Sequence, residues 1–150
     1  LLNINHESKL LIIGDGSQKN KLSEAPSHLK SNIKHIDFDS NPYKYLKYCE
    51  CMVLTSTYEG MPNVLIEAQI LGIPIVATDS PGGTSEVLEY GKTGLLAEIG
   101  NPKDISEKIF IILNDKKIVS KLTNNFDESI KRFSPVKISS QLLEEIDNLN

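Results

Sequence analysis

The sequence predicts an α/β fold in which a Rossmann-like parallel sheet is flanked by helices. Short apolar runs of strand length alternate with segments of helical periodicity, and this alternation is typical of βαβ units. The chain has 150 residues, of which 39% are hydrophobic and 24% are charged, so it can bury the core of one domain. We find no internal repeat and no linker-like segment, and therefore predict one domain over residues 1–150.

Five apolar runs have the composition of buried strands and are bounded by turn residues. They cover residues 9–14, 32–36, 51–56, 74–78 and 94–97. Helical patterns lie between them, at residues 18–24, 42–48, 62–71 and 84–90. The order of these elements predicts parallel strands joined by helical crossovers.

The last third of the chain is predicted to be helical. Asn101 and Pro102 supply an N-cap and a first-turn proline, and apolar residues then recur at helical spacing from Ile105 onward. Two further helices are predicted over residues 116–132 and 135–149.

Charge and hydropathy argue against a nucleic-acid partner and against a membrane-spanning segment. The 16 Lys and Arg residues are scattered, and 20 Asp and Glu residues give a net charge of -4, so we expect no nucleic-acid partner. No apolar run approaches the roughly 18 to 20 residues that span a bilayer, and the N-terminal residues lack a signal-peptide pattern. These observations favour a cytoplasmic protein.

The cysteines and histidines do not predict a metal site. Cys49 and Cys51 are two residues apart with no nearby pair of histidines, which suits neither a zinc site nor a disulfide framework. We expect both thiols to be packing residues. His6, His28 and His35 lack the spacing of metal ligands on one element.

The segment STYEGMPNVLIEA, residues 56–68, carries the strongest functional signal. Glu59 and Glu67 lie eight residues apart, on either side of a predicted strand-to-helix junction. Pro62 suits the first helical position because it has no N–H to leave unpaired. The free amides of residues 63–65 would then lie at a helix N-terminus, whose dipole favours anions. We therefore predict that a diphosphate binds at this junction.

Two other interpretations of the carboxylates remain. Solvated surface positions are the commonest fate of glutamate. Against this, Glu67 lies one turn after Asn63 on the same helix face, with Val64, Leu65, Ala68 and Leu71 expected on the buried side. There its carboxylate can accept two hydrogen bonds from a ribose diol. A glycosidase acid and nucleophile pair is disfavoured. The two carboxyls of such a pair flank one bond at roughly 5 to 10 Å from each other, whereas Glu59 and Glu67 are expected on opposite sides of a diphosphate site.

The first glycine-rich loop follows the first predicted strand. Gly14, Asp15 and Gly16 resemble the start of a dinucleotide-binding fingerprint, but Lys19 occupies the position of the third glycine, and no acidic residue closes the next strand at the distance that the fingerprint requires. The loop is either a tight turn or a minor part of a nucleotide pocket.

The second glycine-rich loop follows the strand predicted at residues 74–78. Gly82 and Gly83 either let the chain approach a ligand closely or form a sharp turn, and Thr84 is a candidate N-cap of the next helix. Ligands of open α/β sheets bind outside the carboxyl ends of strands. The loop of Gly82 and the loop of Glu59 would both lie at that edge.

Taken in order, these motifs resemble the C-terminal, donor-binding domain of the retaining family-4 glycosyltransferases, which have the GT-B fold. The resemblance extends from about Lys9 to the end of the chain. It is carried by GDG at 14–16, IDF at 36–38, NPY at 41–43, the 56–68 segment, LGIPIVAT at 71–78, PGG at 81–83 with Glu86, and GKTGLL at 91–96.

The resemblance implies roles for individual residues. Glu59 becomes the catalytic carboxylate that binds hydroxyls of the transferred sugar, and Glu67 binds the ribose. The other donor-binding residues implied are Gly60, Met61, Pro62, Asn63, Val64 and Leu65 for sugar and diphosphate, Ile36 and Phe38 beside the base, and Gly14, Gly16, Gly82 and Gly83 in the flanking loops.

The implied activity is transfer of a sugar, with retention, from a nucleotide diphosphate sugar, most simply a UDP-sugar, to a surface-polysaccharide or lipid-linked acceptor. Such transfer depends on stabilising the leaving diphosphate by positioning and fixed charge, so we expect no metal and no cofactor. A lipid-linked acceptor would bring the full-length enzyme to the inner face of the membrane.

The sequence also departs from the family pattern. The opening strand, its glycine-arginine and lysine loop and the N-terminal, acceptor-binding domain have no counterpart, and residues 1–4 have the pattern of a helix end. We therefore expect an incomplete N-terminus and no activity of the chain alone. By family topology the lost strand is central, in the order 3-2-1-4-5-6, between the strands at residues 9–14 and 51–56. Asp37 stands where many relatives carry glycine.

Two rival functions remain at this point. A non-catalytic nucleotide-sugar-binding module, or a decayed remnant, would keep the site without the partner domain. A nicotinamide-dependent oxidoreductase domain is disfavoured by Lys19, which breaks the dinucleotide fingerprint.

Overall fold

The computed structural model describes residues 8–148, and the helix end predicted at residues 1–4 and the final residue of the helix predicted at 135–149 lie outside them. The described elements are β1 (Leu10–Ile13), β2 (Ile33–Ile36), α1 (Tyr43–Leu46), β3 (Met52–Leu54), α2 (Asn63–Ile70), β4 (Ile75–Thr78), α3 (Thr84–Val87), β5 (Leu95–Ala97), α4 (Pro102–Asn114), α5 (Lys116–Thr123), α6 (Phe126–Lys131) and α7 (Pro135–Asp147).

The chain forms two compact units, Leu1–Tyr45 (the first unit) and Leu46–Asn150 (the second unit). In the first unit β1 pairs with β2 in parallel, with Leu10 opposite Ile33. In the second unit a parallel three-stranded sheet has the order β3-β4-β5, and Val76 of β4 lies opposite Val53 and Leu95. The predicted α/β class with parallel strands and flanking helices is confirmed.

The core of the second unit lies on both faces of β4, whose four residues are all buried. Ile75 packs in a cluster with Leu65 of α2 and Leu88, while Val76 packs on the opposite face with Ile112 of α4. A strand covered by helices on both faces needs apolar residues at successive positions, as the run IVAT has. Burying a side chain such as Leu65 fully contributes about 2 kcal/mol.

The first unit has no such core, since none of residues 8–45 is buried. Its predicted helix at 18–24 is a 3-10 helix, Lys19–Glu24, and a second 3-10 helix, Ser27–Asn32, was not predicted. The Ser23 hydroxyl donates to the Asn20 carbonyl oxygen at 2.6 Å, and such local bonds compete with α-helical ones.

The helix predicted at residues 116–132 is two helices, α5 and α6. The break falls at Asn124 and Asn125, and the Asn125 side-chain amide donates to the Lys121 carbonyl oxygen at 2.7 Å. An asparagine side chain that satisfies a helix carbonyl favours termination there. The N-cap predicted at Asn101 is confirmed, because its side chain accepts from the Asp104 amide at 3.1 Å.

The helix predicted at residues 84–90 ends earlier, as α3. Glu89 and Tyr90 have left-handed φ angles of 47° and 54°, which an α-helix cannot contain. The Arg132 guanidinium donates to the carbonyl oxygens of Glu86 at 3.3 Å and Val87 at 3.1 Å, so the residue that caps the end of α6 satisfies carbonyl groups at the end of α3. No helix within residues 8–148 combines the length and apolarity that crossing a bilayer requires.

Candidate functional site

The turn that joins β3 to α2, residues 55–62, is called the Glu59 turn below. Glu59 is half-buried, and the Ser56 hydroxyl donates to its Oε1 at 2.6 Å. The carboxylate is therefore held beside the end of β3 instead of extending into solvent.

The backbone of the Glu59 turn is fixed by the loop of residues 79–83, called the Gly82 loop. The Glu59 amide donates to the Pro81 carbonyl oxygen at 3.2 Å, and the Gly83 amide donates to the Glu59 carbonyl oxygen at 3.2 Å. Glu59 and Gly82 form a parallel bridge. The two loops predicted to share one edge of the sheet are thus in direct contact.

Close backbone approach explains both glycines of the Gly82 loop. A Cβ on Gly82 would lie 1.7 Å from the Glu59 carbonyl oxygen, and a Cβ on Gly83 would lie 2.3 Å from the Gly60 carbonyl oxygen. Gly82 also has a φ of 103°, which side chains rarely adopt. The glycines bring the two loops together, so their immediate neighbour is the Glu59 turn.

Thr84 does not have the predicted N-cap role. Gly83 is the N-cap residue of α3, while Thr84 is fully buried with its hydroxyl 2.8 Å from that of Ser80. The Thr84 hydroxyl therefore forms a hydrogen bond in the protein interior and does not cap α3. Glu86 lies in the first turn of α3, as predicted.

The N-terminus of α2 offers two open amides instead of the three predicted. Pro62 is the N-cap residue, one position before the helix, and its carbonyl oxygen accepts from the Leu65 amide at 3.0 Å. The amides of Asn63 and Val64 have no hydrogen-bond partner in the described part of the chain. Two amides beside the positive end of a helix still favour an anion.

The faces of α2 differ in part from the prediction. Leu65 and Ala68 are buried as expected, but Val64 and Leu71 are exposed, and Gln69 completes the buried side. The Gln69 side-chain amide donates to the Val87 carbonyl oxygen at 3.4 Å, which the sequence pattern did not indicate. Glu67 is half-buried.

In the first unit, three of the predicted donor-binding residues lie together. The Gly14 amide donates to the Ile36 carbonyl oxygen at 3.0 Å, and the Phe38 amide donates to Asp15 Oδ2 at 3.2 Å. The Phe38 side chain is 78% exposed. Gly16 begins the following turn, since its carbonyl oxygen accepts from the Lys19 amide at 3.1 Å.

Lys19 is central to a network of charges that sequence reasoning missed. Its ammonium forms an ion pair with Asp37 and another with Asp15 at 3.3 Å. The Phe38 amide and the Lys19 ammonium hold the pKa of Asp15 below its usual range. Its bonds to Asp37 and Asp15 raise the pKa of Lys19. The residue that breaks the dinucleotide fingerprint therefore links two successive loops.

One group within the described residues brings potential metal ligands together. Ligand atoms of Asp15, His35 and Asp37 lie within 4.8 Å of one another. The Lys19 ammonium already pairs with both carboxylates, so a positive charge accompanies the group.

Asp39 forms a second polar cluster in the first unit. Its carboxylate accepts from the Asn41 amide at 2.9 Å and from the Tyr45 hydroxyl at 3.1 Å, and pairs with Lys44 at 2.7 Å. The Lys44 ammonium, followed by the Asn41 amide, lowers the pKa of Asp39. The motif NPY at 41–43 is thereby attached to the loop after β2.

The two cysteine side chains are partly buried. Burial raises the pKa of Cys51 to about 12, and its side chain packs with the cluster around Val76. Burial also raises the pKa of Cys49. The prediction that Cys51 is a packing residue is confirmed.

An open depression lies at the carboxyl ends of β4 and β5. It is lined by Asp79, Leu96, Ala97, Glu98 and Ile99, and includes neither Glu59 nor Glu67.

Parallel strands whose carboxyl-end loops meet at Glu59 and Gly82 define an α/β protein, and comparison with known sequences identifies its family. The sequence model of the glycosyl transferases group 1 family matches residues 1–148. The chain belongs to this family.

Two curated relatives illustrate the match. The chain is 33% identical over 137 residues to the N-acetylgalactosamine-N,N'-diacetylbacillosaminyl-diphospho-undecaprenol 4-alpha-N-acetylgalactosaminyltransferase of Campylobacter jejuni, with 90% of the chain and 38% of the relative covered. It is 32% identical over 124 residues to the poly(ribitol-phosphate) alpha-N-acetylglucosaminyltransferase of Staphylococcus aureus, with 81% and 25% covered. The chain thus spans well under half the length of these relatives.

Solved structures give the same assignment. A variant of S. aureus TarM in complex with Fondaparinux, alpha-GlcNAc-glycerol and UDP matches with a TM-score of 0.84 and 29% identity, covering 95% of this chain and 30% of that one. Anabaena HepE in complex with UDP-glucose matches with a TM-score of 0.77 and 23% identity, covering 93% and 41%, which supports the fold. The predicted resemblance to GT-B glycosyltransferases is confirmed.

Proposed function

We propose that this chain is the donor-binding part of a retaining glycosyltransferase that transfers a sugar from a UDP-sugar to a glycan or lipid-linked acceptor. The observation that carries the proposal is the Glu59 turn, where the carboxylate of Glu59 is held by Ser56 and the turn leads into α2, whose first two amides are open. The printed names of the relatives, which include a diphospho-undecaprenol acceptor, and the UDP complex of TarM support the substrate classes.

The sugar and diphosphate are assigned to the Glu59 turn and the helix that follows it. Glu59 accepts hydrogen bonds from hydroxyls of the transferred sugar, and the amides of Asn63 and Val64 donate to the diphosphate. Glu67 accepts from the ribose diol. Hydrogen bonds to a carboxylate are charge-assisted, each contributing about 1.5 to 3 kcal/mol.

The nucleotide assignments in the first unit rest on the family resemblance. Ile36 and Phe38 are proposed to lie beside the base, with Gly14 and Gly16 in the flanking loop. The exposed ring of Phe38 offers a flat apolar surface of the kind on which a base packs.

The chemistry proposed needs no protein nucleophile. As the bond from the sugar to the diphosphate breaks, negative charge accumulates on the leaving group. Fixed amide dipoles at the start of α2 stabilise that charge without reorganisation. Glu59 orients the sugar so that the acceptor attacks the face from which the diphosphate departs, giving retention. On this mechanism the reaction is independent of metal ions.

The acceptor site is assigned to the rest of a full-length enzyme. The chain covers 38% of the Campylobacter relative and 25% of the Staphylococcus relative, and both activities are those of the whole proteins. We therefore propose that residues 1–150 bind the donor but do not turn it over alone.

Calorimetric titration tests the donor assignment. UDP and a panel of UDP-sugars are expected to bind the chain, whereas NAD is not. Glu67→Gln is expected to weaken the affinity for UDP about 10-fold, because a charge-assisted ribose contact is lost. Glu59→Gln is expected to leave the affinity for UDP unchanged but to remove discrimination among UDP-sugars in the full-length enzyme. Equal losses of UDP affinity in both variants would contradict the division of roles.

Turnover by the full-length enzyme separates the proposal from a non-catalytic binding module. Retention is read from the anomeric configuration of the product. Activity that survives a metal chelator supports metal independence, and NAD binding in place of UDP would overturn the donor assignment altogether.

A further inference from the structure

A chain of polar contacts runs from the interior of the second unit to the Glu59 carboxylate. The Thr78 hydroxyl donates to the Ser56 carbonyl oxygen, and the Ser56 hydroxyl donates to Glu59 Oε1 at 2.6 Å. Thr78 is 2% exposed, whereas Glu59 is only half-buried. The chain thus connects a core strand to a carboxylate at the site.

Thr78 extends the pairing of β4 with β3 beyond its last backbone pair. That pair is Leu54 with Ala77, and Thr78 follows directly as the final residue of β4. Its hydroxyl lies 3.5 Å from the Leu54 carbonyl oxygen as well as bonding to that of Ser56. Ser56, although it lies past the end of β3, is therefore fixed to the buried central strand.

The backbone of Glu59 is restrained independently of its side chain. Its amide and carbonyl groups bond to Pro81 and Gly83 of the Gly82 loop, as described above. A glutamate attached to a fixed backbone still has several side-chain rotamers. The Ser56 hydroxyl is the contact that selects among them.

The direction of this contact leaves the carboxylate available for a ligand. An ionised carboxylate only accepts hydrogen bonds, so Ser56 is the donor. Oε2 of Glu59 has no partner within residues 8–148. A sugar hydroxyl can therefore donate to Oε2 while Ser56 holds Oε1.

We propose that Ser56 is a positioning residue of the donor site, whose hydroxyl sets the Glu59 carboxylate in its sugar-binding rotamer before the donor arrives. This inference rests on the proposed function. Ser56 is assigned no contact with the substrate; it acts through Glu59, and Thr78 supports it from β4. Preorganisation of this kind lowers the entropic cost of ordering the Glu59 side chain when the donor binds.

Kinetics of the full-length enzyme test the inference. Ser56→Ala is expected to lower kcat/KM for the UDP-sugar about 10-fold, the effect of one hydrogen bond to a charged group, while the Kd of UDP stays within about twofold. Ser56→Thr keeps the hydroxyl and is expected to restore most of kcat/KM. Thr78→Val, which removes only the supporting hydroxyl, is expected to give a loss of about threefold.

Ser80→Ala is the matched control. Ser80 is a buried serine of the same unit, and its hydroxyl pairs with Thr84 instead of a carboxylate. The control is expected to leave kcat/KM for the UDP-sugar and the Kd of UDP unchanged. A loss of kcat/KM in Ser80→Ala equal to that in Ser56→Ala would show a general packing effect and overturn the inference.

The remaining outcomes separate this inference from the proposed function. Wild-type enzyme that binds neither UDP nor any UDP-sugar refutes the proposed function. Wild-type enzyme that binds both, with Ser56→Ala unchanged in kcat/KM or impaired equally toward UDP, refutes the positioning role alone. Failure of Ser56→Thr to recover activity in a folded protein also counts against it.

Discussion

The two units of this chain are stabilised in different ways. Within residues 8–148, every buried apolar side chain lies in the second unit, where β4 is covered on both faces. The first unit contains half-buried strands and ion pairs near its surface, among them the exposed pair of Asp15 with Lys19 and the pair of half-buried Asp39 with exposed Lys44. Exposed ion pairs contribute about 0 to 1 kcal/mol each, whereas a fully buried leucine contributes about 2 kcal/mol.

This difference indicates which predicted contacts are held rigidly. The Glu59 turn is bonded to the buried end of β4 and to the Gly82 loop, so the proposed sugar-binding carboxylate has support from a packed core. The residues proposed beside the base are positioned mainly by charged side chains, which salt and acid weaken. We expect the second unit to keep its structure under conditions that loosen the first.

Matched core truncations should show the largest effect. Leu65→Ala removes a fully buried side chain of the second unit and is expected to cost about 3 kcal/mol in free energy of unfolding, whereas Leu11→Ala at a half-buried position of β1 should cost about 1 kcal/mol. Urea unfolding followed by circular dichroism measures both. Equal losses would mean that the first unit has a core after all.

Two glycines of similar backbone conformation provide a second comparison. Gly82 has a φ of 103°, and a Cβ there would lie 1.7 Å from the Glu59 carbonyl oxygen, while Gly14 has a φ of 121° and a Cβ there would meet no atom within 4 Å. Both alanine variants incur backbone strain of about 1 to 3 kcal/mol. Only Gly82→Ala also displaces the Glu59 turn, so its loss of stability should be larger by at least about 1 kcal/mol.

The same pair of variants separates stability from ligand binding. Gly82→Ala is expected to lose discrimination among UDP-sugars along with stability, because Glu59 moves with its turn. If Gly82→Ala and Gly14→Ala unfold at the same urea concentration, the contact of the Gly82 loop with the Glu59 turn is not a restraint.

Local sequence patterns predicted the elements better than their ends. The runs that became β4 and β5, and the N-cap at Asn101, depend on nearby residues and were found. Thr84 was misassigned although its partner Ser80 is only four residues away, because the sequence pattern does not show that Thr84 is fully buried and that its hydroxyl bonds to that of Ser80 instead of capping α3. The burial of the side chain decided that outcome.

The candidate site shows the same limit. The motif around Glu59 identified the turn, but the bond from Thr78 to Ser56 and the close approach of Gly82 to Glu59 join segments about 20 residues apart. In the sequence, Lys19 indicated only that the third glycine of a dinucleotide-binding fingerprint is missing. In the structure, its ammonium pairs with carboxylates on two loops. Side chains whose partners lie on other elements could not be assigned from spacing.

A smaller effect is expected where the second unit is itself strained. Tyr90 is 81% exposed and left-handed, so Tyr90→Gly should relieve the conformation and stabilise the protein by about 1 kcal/mol. Tyr48 is 79% exposed without a positive φ, and Tyr48→Gly should bring no gain. A rise in the urea midpoint for Tyr48→Gly but not for Tyr90→Gly would contradict the conclusion that the left-handed backbone of Tyr90 is strained.

The smallest expected effect is the loss of stability of the first unit when Asp15 is protonated in acid. The pKa of Asp15 is lowered by the Phe38 amide and by Lys19, so ionised Asp15 stabilises the fold above its unfolded pKa of 3.8. That contribution is lost as pH falls through the lower, folded pKa. NMR titration of the Asp15 carboxyl carbon should give a midpoint below 3.8, and Lys19→Met should move it upward.

Asp104 in the second unit is the internal control for that titration. Lys108 and the Glu98 amide lower its pKa by the same kinds of contact, and it lies outside the first unit. Lys19→Met should therefore leave the Asp104 midpoint in place while the Asp15 midpoint rises. A shift of both midpoints would mean that Lys19 acts through the whole protein, and the contrast between a charge-stabilised unit and a core-stabilised unit would no longer hold.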